Sequence, residues 1–169
     1  MRVTDKYVLF WSGELSNFYK TTIMGGSPKK PIKFCCSEQV FMWLKAIRFG
    51  DEVIAEEILK ETSPKKIQNL GRRIRGYDES VWETYGESAM FTAVYLKFKQ
   101  NPALQEMLLQ EEWRDKHFVE ASPIDTKWGI GLVEDNPLCE DEANWKGRNL
   151  LGKCLDKVRE TLLRERADA

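Results

Sequence analysis

The 169-residue chain holds a single histidine, His117, and four cysteines, Cys35, Cys36, Cys139 and Cys154, none of them in a C-x-x-C pair. The usual zinc spacing is therefore absent, and neither a metal site nor a cofactor is expected. A Ser-His-Asp or Cys-His mechanism would have to run through His117, and no nucleophile motif accompanies it. The thiols read as reduced and mostly buried, as in an intracellular protein. Excess charge of either sign is missing too. The 26 basic and 27 acidic residues leave a net charge of −1, so there is no general pull toward nucleic acid or a membrane surface, and any such contact has to come from a local patch. The longest apolar runs are a few residues, far short of the ~20 that a spanning helix needs. The start, Met1 to Lys6, has no apolar signal core behind it. A cytoplasmic protein with no membrane partner is the expectation.

What is present fits a globular chain. Hydrophobic residues make up 42% and charged residues 31%, which argues against disorder. There is no internal repeat, low-complexity tract or obvious linker. A chain of this length buries about two thirds of the surface its unfolded form exposes. One domain over 1–169, with a core from about 7 to 163, is expected.

Tyr7 to Trp11 is an aromatic and β-branched run that reads as a strand. Met24 to Pro31 is punctuated as a loop or hairpin connection, and Ile32 to Cys35 returns as a second strand. The period then becomes helical. Ser37 reads as an N-cap with Glu38 in the first turn; Val40, Trp43, Leu44 and Ile47 form one buried stripe, and Gly50 stops the helix. Asp51 opens a second helix with Ile54, Ala55, Ile58 and Leu59 inside. Ser63-Pro64 starts a short third one, ending near Gly71. Asp78 caps a long helix from about Glu79 to Lys99, and Pro102 begins another through Leu109. Phe118 to Ala121 reads as a strand, leading into a tight loop from Ser122 to Gly131. Leu151, Leu155, Val158 and Leu162 mark a last helix, whose polar tail from Arg164 to Ala169 is expected to fray. The fold class is α+β, helix-dominant, with a few short strands.

Three groups carry candidate chemistry, each with a plainer reading beside it. Glu38 and Lys45 are seven residues apart, within ~20° of two full helical turns, so both project from one face with backbones ~10 Å apart. They are too far apart for a direct ion pair, but both can line one end of a cleft; the plainer reading is a solvated acid and base. The segment Glu120 to Gly131 gathers two carboxylates, Trp128 and two glycines. Such a loop can hold Asp125 rigidly and offer Trp128 as a stacking surface for a base, or it is a capped turn with a core tryptophan. Arg72, Arg73 and Arg75, after Lys65 and Lys66, form either a phosphate clamp or a solvated basic face. Trp82 and Tyr85 read as core more readily than as ligand contacts. Asn17 either hydrogen-bonds a ribose or caps a turn.

Taken in order, these segments resemble the NADAR family, also called YbiA-like. The matching pieces are Gly13 to Tyr19, Ser37 to Ala46, Phe49 to Asp51, Lys66 with Leu70 to Arg72, Trp82, and Lys97-Phe98. They continue with Val119 to Asp125, Trp128 to Gly131, Trp145 to Gly152, and Val158-Arg159. No one piece decides the matter; the ordered set, over roughly residues 9 to 160, does. The resemblance implies an N-glycosidase that needs no cofactor. Some members cleave the base–ribose bond of phosphoribosylamino-pyrimidine intermediates of riboflavin synthesis, and others remove ADP-ribose from guanine in nucleic acid. It assigns catalysis to Glu38, Lys45 and Asp125, and substrate contact to Asn17, Arg72, Trp82, Glu120, Trp128 and Gly129. The partner implied is a phosphorylated ribosyl or ADP-ribosyl substrate, with ADP-ribosylated nucleic acid among the candidates.

Two routes are open. In one, Asp125 or Glu38 activates water while the other carboxylate supports the oxocarbenium-like cation or the leaving base. In the other, the Lys45 amine attacks the anomeric carbon, the sugar ring opens, and a Schiff base is later hydrolysed; that route needs the amine unprotonated. The basic segment Gly25 to Lys33, with the arginines at 72, 73 and 75, can receive a diphosphate or a nucleic-acid strand and tilts the reading toward the ADP-ribosyl substrate. Two other classes stay open on the residues alone. One is a module that binds ADP-ribose or a nucleotide without turnover, using the same stacking surface and clamp. The other is a helical interaction protein with no pocket.

Overall fold

The computed structural model describes all 169 residues. In chain order the elements are β1 (Arg2–Val3), β2 (Tyr7–Phe10), β3 (Ile23–Ser27), β4 (Lys30–Phe34), α1 (Ser37–Arg48), α2 (Glu52–Lys60), α3 (Pro64–Gly71), α4 (Glu79–Gln100), α5 (Pro102–Leu108), β5 (His117–Glu120) and α6 (Leu150–Asp168), with short 3-10 turns at Glu111–Trp113, Pro137–Glu140 and Glu142–Asn144. The class is α+β with helix dominant. Contacts divide the chain into two compact units: residues 17–100, and a second unit made of residues 1–16 with 101–169.

In the unit 17–100, α1 packs against α2, α3 and α4, and the hairpin touches α1 and α4. The segment that read as a loop or hairpin connection is the hairpin itself. β3 and β4 pair antiparallel from Ile23↔Phe34 to Ser27↔Lys30, which leaves Pro28 and Lys29 as the turn. In α1 the structure corrects the sequence reading twice. Of the expected stripe only Val40 is buried, Trp43 and Leu44 being half-buried and Ile47 exposed, because the face that packs on α2, α3 and α4 runs through Phe41, Met42 and Ala46. The helix also starts differently. The N-cap is Cys36, in extended backbone, and Ser37 is the first helical residue. The Ser37 hydroxyl does not cap the helix; it donates to Asn17 Oδ1 at 2.9 Å. Gln39 ties three pieces together. Its Oε1 accepts the Cys35 N–H at 2.7 Å, and its Nε2 donates to the carbonyls of Ile58 and Glu61 at 2.8 and 3.0 Å, which ties the start of α1 to the end of α2.

Asp51 caps α2 through the Ile54 N–H, and Ser63 caps α3 with Pro64 in its first turn. Gly50 takes φ +72° just past α1, a left-handed backbone that glycine adopts without a Cβ clash. α4 buries Trp82, Gly86, Ala89, Met90, Ala93, Val94, Lys97 and Phe98, a helical stripe that includes one lysine, buried to 1% exposure.

In the other unit, β2 is the middle strand, antiparallel to β1 and parallel to β5, with Tyr7↔His117 through Phe10↔Glu120 in register. Val8, Leu9, Phe10, Phe118 and Val119 are all at 0% exposure. A parallel strand buried on both faces needs a continuous apolar run, and Tyr7–Phe10 supplies one. α6 packs on β5 through Leu151, Leu155, Val158 and Leu162, all buried. Its tail does not fray: the helix runs to Asp168, and Arg166 reaches back to Gln105 at 2.9 Å and to Glu106. His117 Nδ1 lies 2.9 Å from Asp156, a surface pair. Cys36, Cys139 and Cys154 are buried and Cys35 is half-buried, all four as free thiols. No helix is long and apolar enough to cross a membrane.

Asp51 also accepts two bonds from the Arg75 guanidinium and one from its backbone N–H. These bonds hold the Asp51 carboxyl down from 3.8 to about 2. A carboxylate lowered by folding adds stability above its ordinary value, and that contribution is lost as pH falls through the folded one. Thermal melting of the wild type is therefore expected to lose stability between pH 4 and 2 in part through Asp51. Asp51→Asn should be less stable at neutral pH and show a shallower fall over that window; parallel curves would dismiss the pair.

Candidate active site

The unit 17–100 carries five of the nine sequence-selected residues. Glu38, in the first turn of α1, is buried at 6% exposure, and its N–H donates to the Asn17 carbonyl at 3.1 Å. Asn17 is buried as well. Its Oδ1 takes the Ser37 hydroxyl, and its Nδ2 lies 3.2 Å from Met90 Sδ. Asn17 thus grips the first turn of the helix that bears Glu38.

Two turns on, Lys45 is half-buried. Its Nζ donates to the Gly71 carbonyl at 3.0 Å and stands 4.7 Å from the Tyr77 ring centre and 5.6 Å from that of Trp82. Trp82 is part of an aromatic cluster with Phe41, Phe49 and Tyr85, at centroid separations of 5.3, 6.2 and 6.2 Å. The ring is at once core and one wall of the lysine's corner. Arg72 ends α3, where its N–H meets the Asn69 carbonyl and its side chain stays exposed. Arg75 is engaged by Asp51, so among the three arginines the exposed cations left for a phosphate are at 72 and 73.

Gly71 and Tyr77 are additions that the sequence reading missed. A Cβ on Gly71 would sit 2.0 Å from Met42 Sδ, so a larger residue would have to push the Met42 side chain aside, whereas glycine leaves room for α3 to bring its carbonyl to Lys45. Tyr77 sits in the turn before α4, far from Lys45 in sequence, and no periodicity links the two. Its hydroxyl donates to Glu79 at 2.5 Å; burial and that bond push its pKa up to about 12, so it is a neutral phenol at physiological pH.

The other unit carries Glu120, Asp125, Trp128 and Gly129. Asp125 sits in a tight turn: its Oδ1 accepts the N–H groups of Lys127 and Trp128 at 2.9 and 2.8 Å. Its own N–H donates to the buried Ser122 hydroxyl at 3.1 Å. Two backbone donors on one oxygen fix the carboxylate's direction and leave Oδ2 for other chemistry. Trp128 is half-buried, with the Lys127 amine 5.8 Å from its ring centre.

The loop is laced to the segment before α6. The N–H groups of Lys146, Arg148, Asn149, Leu150 and Leu151 donate to the carbonyls of Ile130, Thr126, Gly129, Lys127 and Trp128. Asn149, at φ 53°, makes the last link: its Oδ1 takes the Glu120 N–H and its Nδ2 reaches the Phe118 carbonyl, both at 3.0 Å. Its motif was visible in the sequence, but its role was not, because that role depends on a left-handed backbone.

A family model described as the NADAR domain matches residues 9–163. The chain belongs to the NADAR family. This NADAR chain is 43% identical to "Protein irg-1" of Caenorhabditis elegans over 155 residues, covering 90% of this chain and 71% of that protein. It is 40% identical over 128 residues to "N-glycosidase R617" of Acanthamoeba polyphaga mimivirus, covering 76% and 74%. To "N-glycosidase YbiA" of Escherichia coli it is 30% identical over 167 residues, covering 96% and 92%. The solved structure of E. coli YbiA superposes with a TM-score of 0.77 at 28% identity, covering 99% of this chain and 91% of that one. The NADAR chain is an N-glycosidase, a hydrolase of N-glycosyl compounds.

The loop bearing Asp125 tolerates no added atoms at its contact with the later segment. A Cβ on Gly147 would lie 2.2 Å from the Gly129 carbonyl and 2.7 Å from Thr126 Cα. Gly147→Ala is expected to destabilise by about 1–3 kcal/mol in urea unfolding and to lower kcat more than tenfold. Wild-type melting and turnover would show that the close approach is not needed.

Proposed function

We propose that this N-glycosidase removes ADP-ribose from ADP-ribosylated guanine in nucleic acid. The observation that carries the reading is a separation of charge. The near-neutral whole divides into a unit 17–100 with 14 basic against 10 acidic side chains and a remainder with 12 against 17. The unit with the cationic excess bears Glu38 and Lys45. Its exposed cations include Lys29, Lys30, Arg72 and Arg73. A polyanionic strand or a diphosphate is drawn to such a surface; a small monophosphate needs fewer cations.

In this reading Glu38 and Lys45 on the unit 17–100, and Asp125 on the other unit, are the catalytic groups. Trp128 offers aromatic surface, the buried Trp82 ring backs the Lys45 amine, and Arg72 offers charge to the diphosphate. Asn17, Glu120 and Gly129 hold these groups through the backbone bonds and close contacts described above. Two routes suit the residues. A carboxylate activates water to displace the base, or the Lys45 amine displaces the base from the sugar carbon, the ring C–O bond opens to leave an imine and a hydroxyl, and water hydrolyses the imine to free the sugar and the amine.

The test is a paired turnover assay read by liquid chromatography and mass spectrometry. One arm is ADP-ribosylguanine in a short oligonucleotide; the other is the ribosylamino-pyrimidine phosphate of riboflavin synthesis. Release of ADP-ribose from the first alone is expected, while release of ribose phosphate from the second alone would overturn the reading. Lys45→Ala and Asp125→Ala should each lower kcat at least 100-fold, about 2.7 kcal/mol of barrier, with the oligonucleotide still bound. Borohydride added during turnover separates the routes: a reduced adduct on Lys45 selects the imine, and its absence selects direct attack by water.

A further inference from the structure

Two cavities in the unit 17–100 are lined by none of the candidate catalytic groups. One, of about 630 Å³, lies where the hairpin faces α1 and α4, and its walls are mainly apolar, including Phe34, Trp43, Leu44 and Leu96. The other, of about 390 Å³, has a mixed wall with a larger polar share, lined by Lys20, Lys33, Thr22 and Thr62 among others. Phe34 lines both, so they are neighbours. Trp43 precedes Lys45 by two residues, some 160° round the helix. The apolar cavity is therefore walled by a different face of α1 from the one that carries Glu38 and Lys45, and a ligand there is not the bond being cut.

The two cavities differ in the way the two parts of a nucleotide differ. The larger has the size of a small-molecule site and an indole in its wall, held edge-on by Phe34 at 5.7 Å between ring centres. Aromatic walls take nucleobases without regard to sequence. The smaller presents two exposed lysines and three threonines, side chains whose donors suit a phosphate. Glu61 also lines it, but its Oε1 is occupied by the N–H groups of Thr62 and Ser63, and two lysines outweigh its charge. Pro28 and Pro31 border the apolar cavity, and between them Lys29 and Lys30 are exposed at the hairpin tip, adding positive charge beyond a single phosphate.

We propose that these cavities form an exosite for an unmodified nucleotide of the substrate strand, its base in the apolar cavity and its phosphate between Lys20 and Lys33. The proposal rests on the reading of the substrate as nucleic acid. The exosite anchors the strand while a separate nucleotide is processed, so it contributes to KM for long substrates and not to the chemical step.

Two variants probe it without touching the core: Lys20→Glu with Lys33→Glu, both exposed, and Thr92→Trp, which fills the apolar cavity from an exposed position on α4. Fluorescence anisotropy with an unmodified single-stranded 12-mer should show about tenfold weaker binding for each. The lysine variant should also flatten the dependence of log Kd on log salt by about one, given ~0.7 per phosphate contact in single strands. In turnover, KM for ADP-ribosylguanine in a 12-mer should rise to match, while kcat and KM for ADP-ribosylguanosine stay within twofold. Unchanged 12-mer affinity, or equal KM shifts for the two substrates, would overturn the exosite. Free GMP displacing the 12-mer at the same nucleotide concentration would overturn a strand as its occupant. If the variants lose the 12-mer while the wild type cleaves neither ADP-ribosyl substrate, the exosite stands and the proposed substrate falls.

Discussion

The first turn of α1 buries three polar side chains in a row, Ser37, Glu38 and Gln39, and the unit 17–100 is organised around finding partners for them. A buried polar group left without one costs about 1–3 kcal/mol. Ser37 finds Asn17, the Glu38 backbone finds the Asn17 carbonyl, and Gln39 spans from Cys35 to the end of α2. These bonds fix where the chain enters α1 and how α2 lies beside it. Lys45 inherits its place from the same helix, two turns along, where Gly71 lets α3 approach.

The unit that holds Asp125 reaches rigidity by another route. There the partners are main chain to main chain: five amides between Lys146 and Leu151, from the approach to α6 and its first two residues, meet five carbonyls of the Ser122–Gly131 loop. Side chains enter chiefly as an absence. Gly129 and Gly147 sit where any Cβ would meet backbone, and Asn149 joins the loop to β5. One candidate carboxylate is positioned by side chains seeking hydrogen bonds, the other by backbones that touch.

Much of this architecture was legible because it is local. The caps at Asp51, Ser63 and Asp78, the stop at Gly50 and the proline starts at 64 and 102 obey rules that span four residues, and the helices fall where those rules put them. Ser37 was misread because a serine before a helical run looks like a cap, whereas the partner that claims its hydroxyl lies twenty residues back. The tail after Arg164 looked free because its anchor, Gln105, is sixty residues away. Tyr77 and Gly71 escaped for the same reason. Of the site, the residue types and the same-face spacing of Glu38 and Lys45 could be read. The aromatic corner round the amine could not, because it is made by α3 and the turn before α4 folding onto α1.

The parallel pairing of β2 with β5 has a consequence for how the molecule is made. Tyr7 pairs with His117, and the whole unit 17–100 is strung between them. Closing so long a loop carries about 2 kcal/mol more entropy than closing one of ten residues, and it has to wait until the ribosome has delivered both ends. The inserted unit is continuous in sequence and richer in local helix contacts, so it is the part able to form first. Once it is compact, it brings the two strands' flanking segments out of an open coil and shortens the effective loop. The apolar run of β2, made before the whole inserted unit and β5 after it, therefore waits through that synthesis without its neighbour, and in that interval it needs shielding.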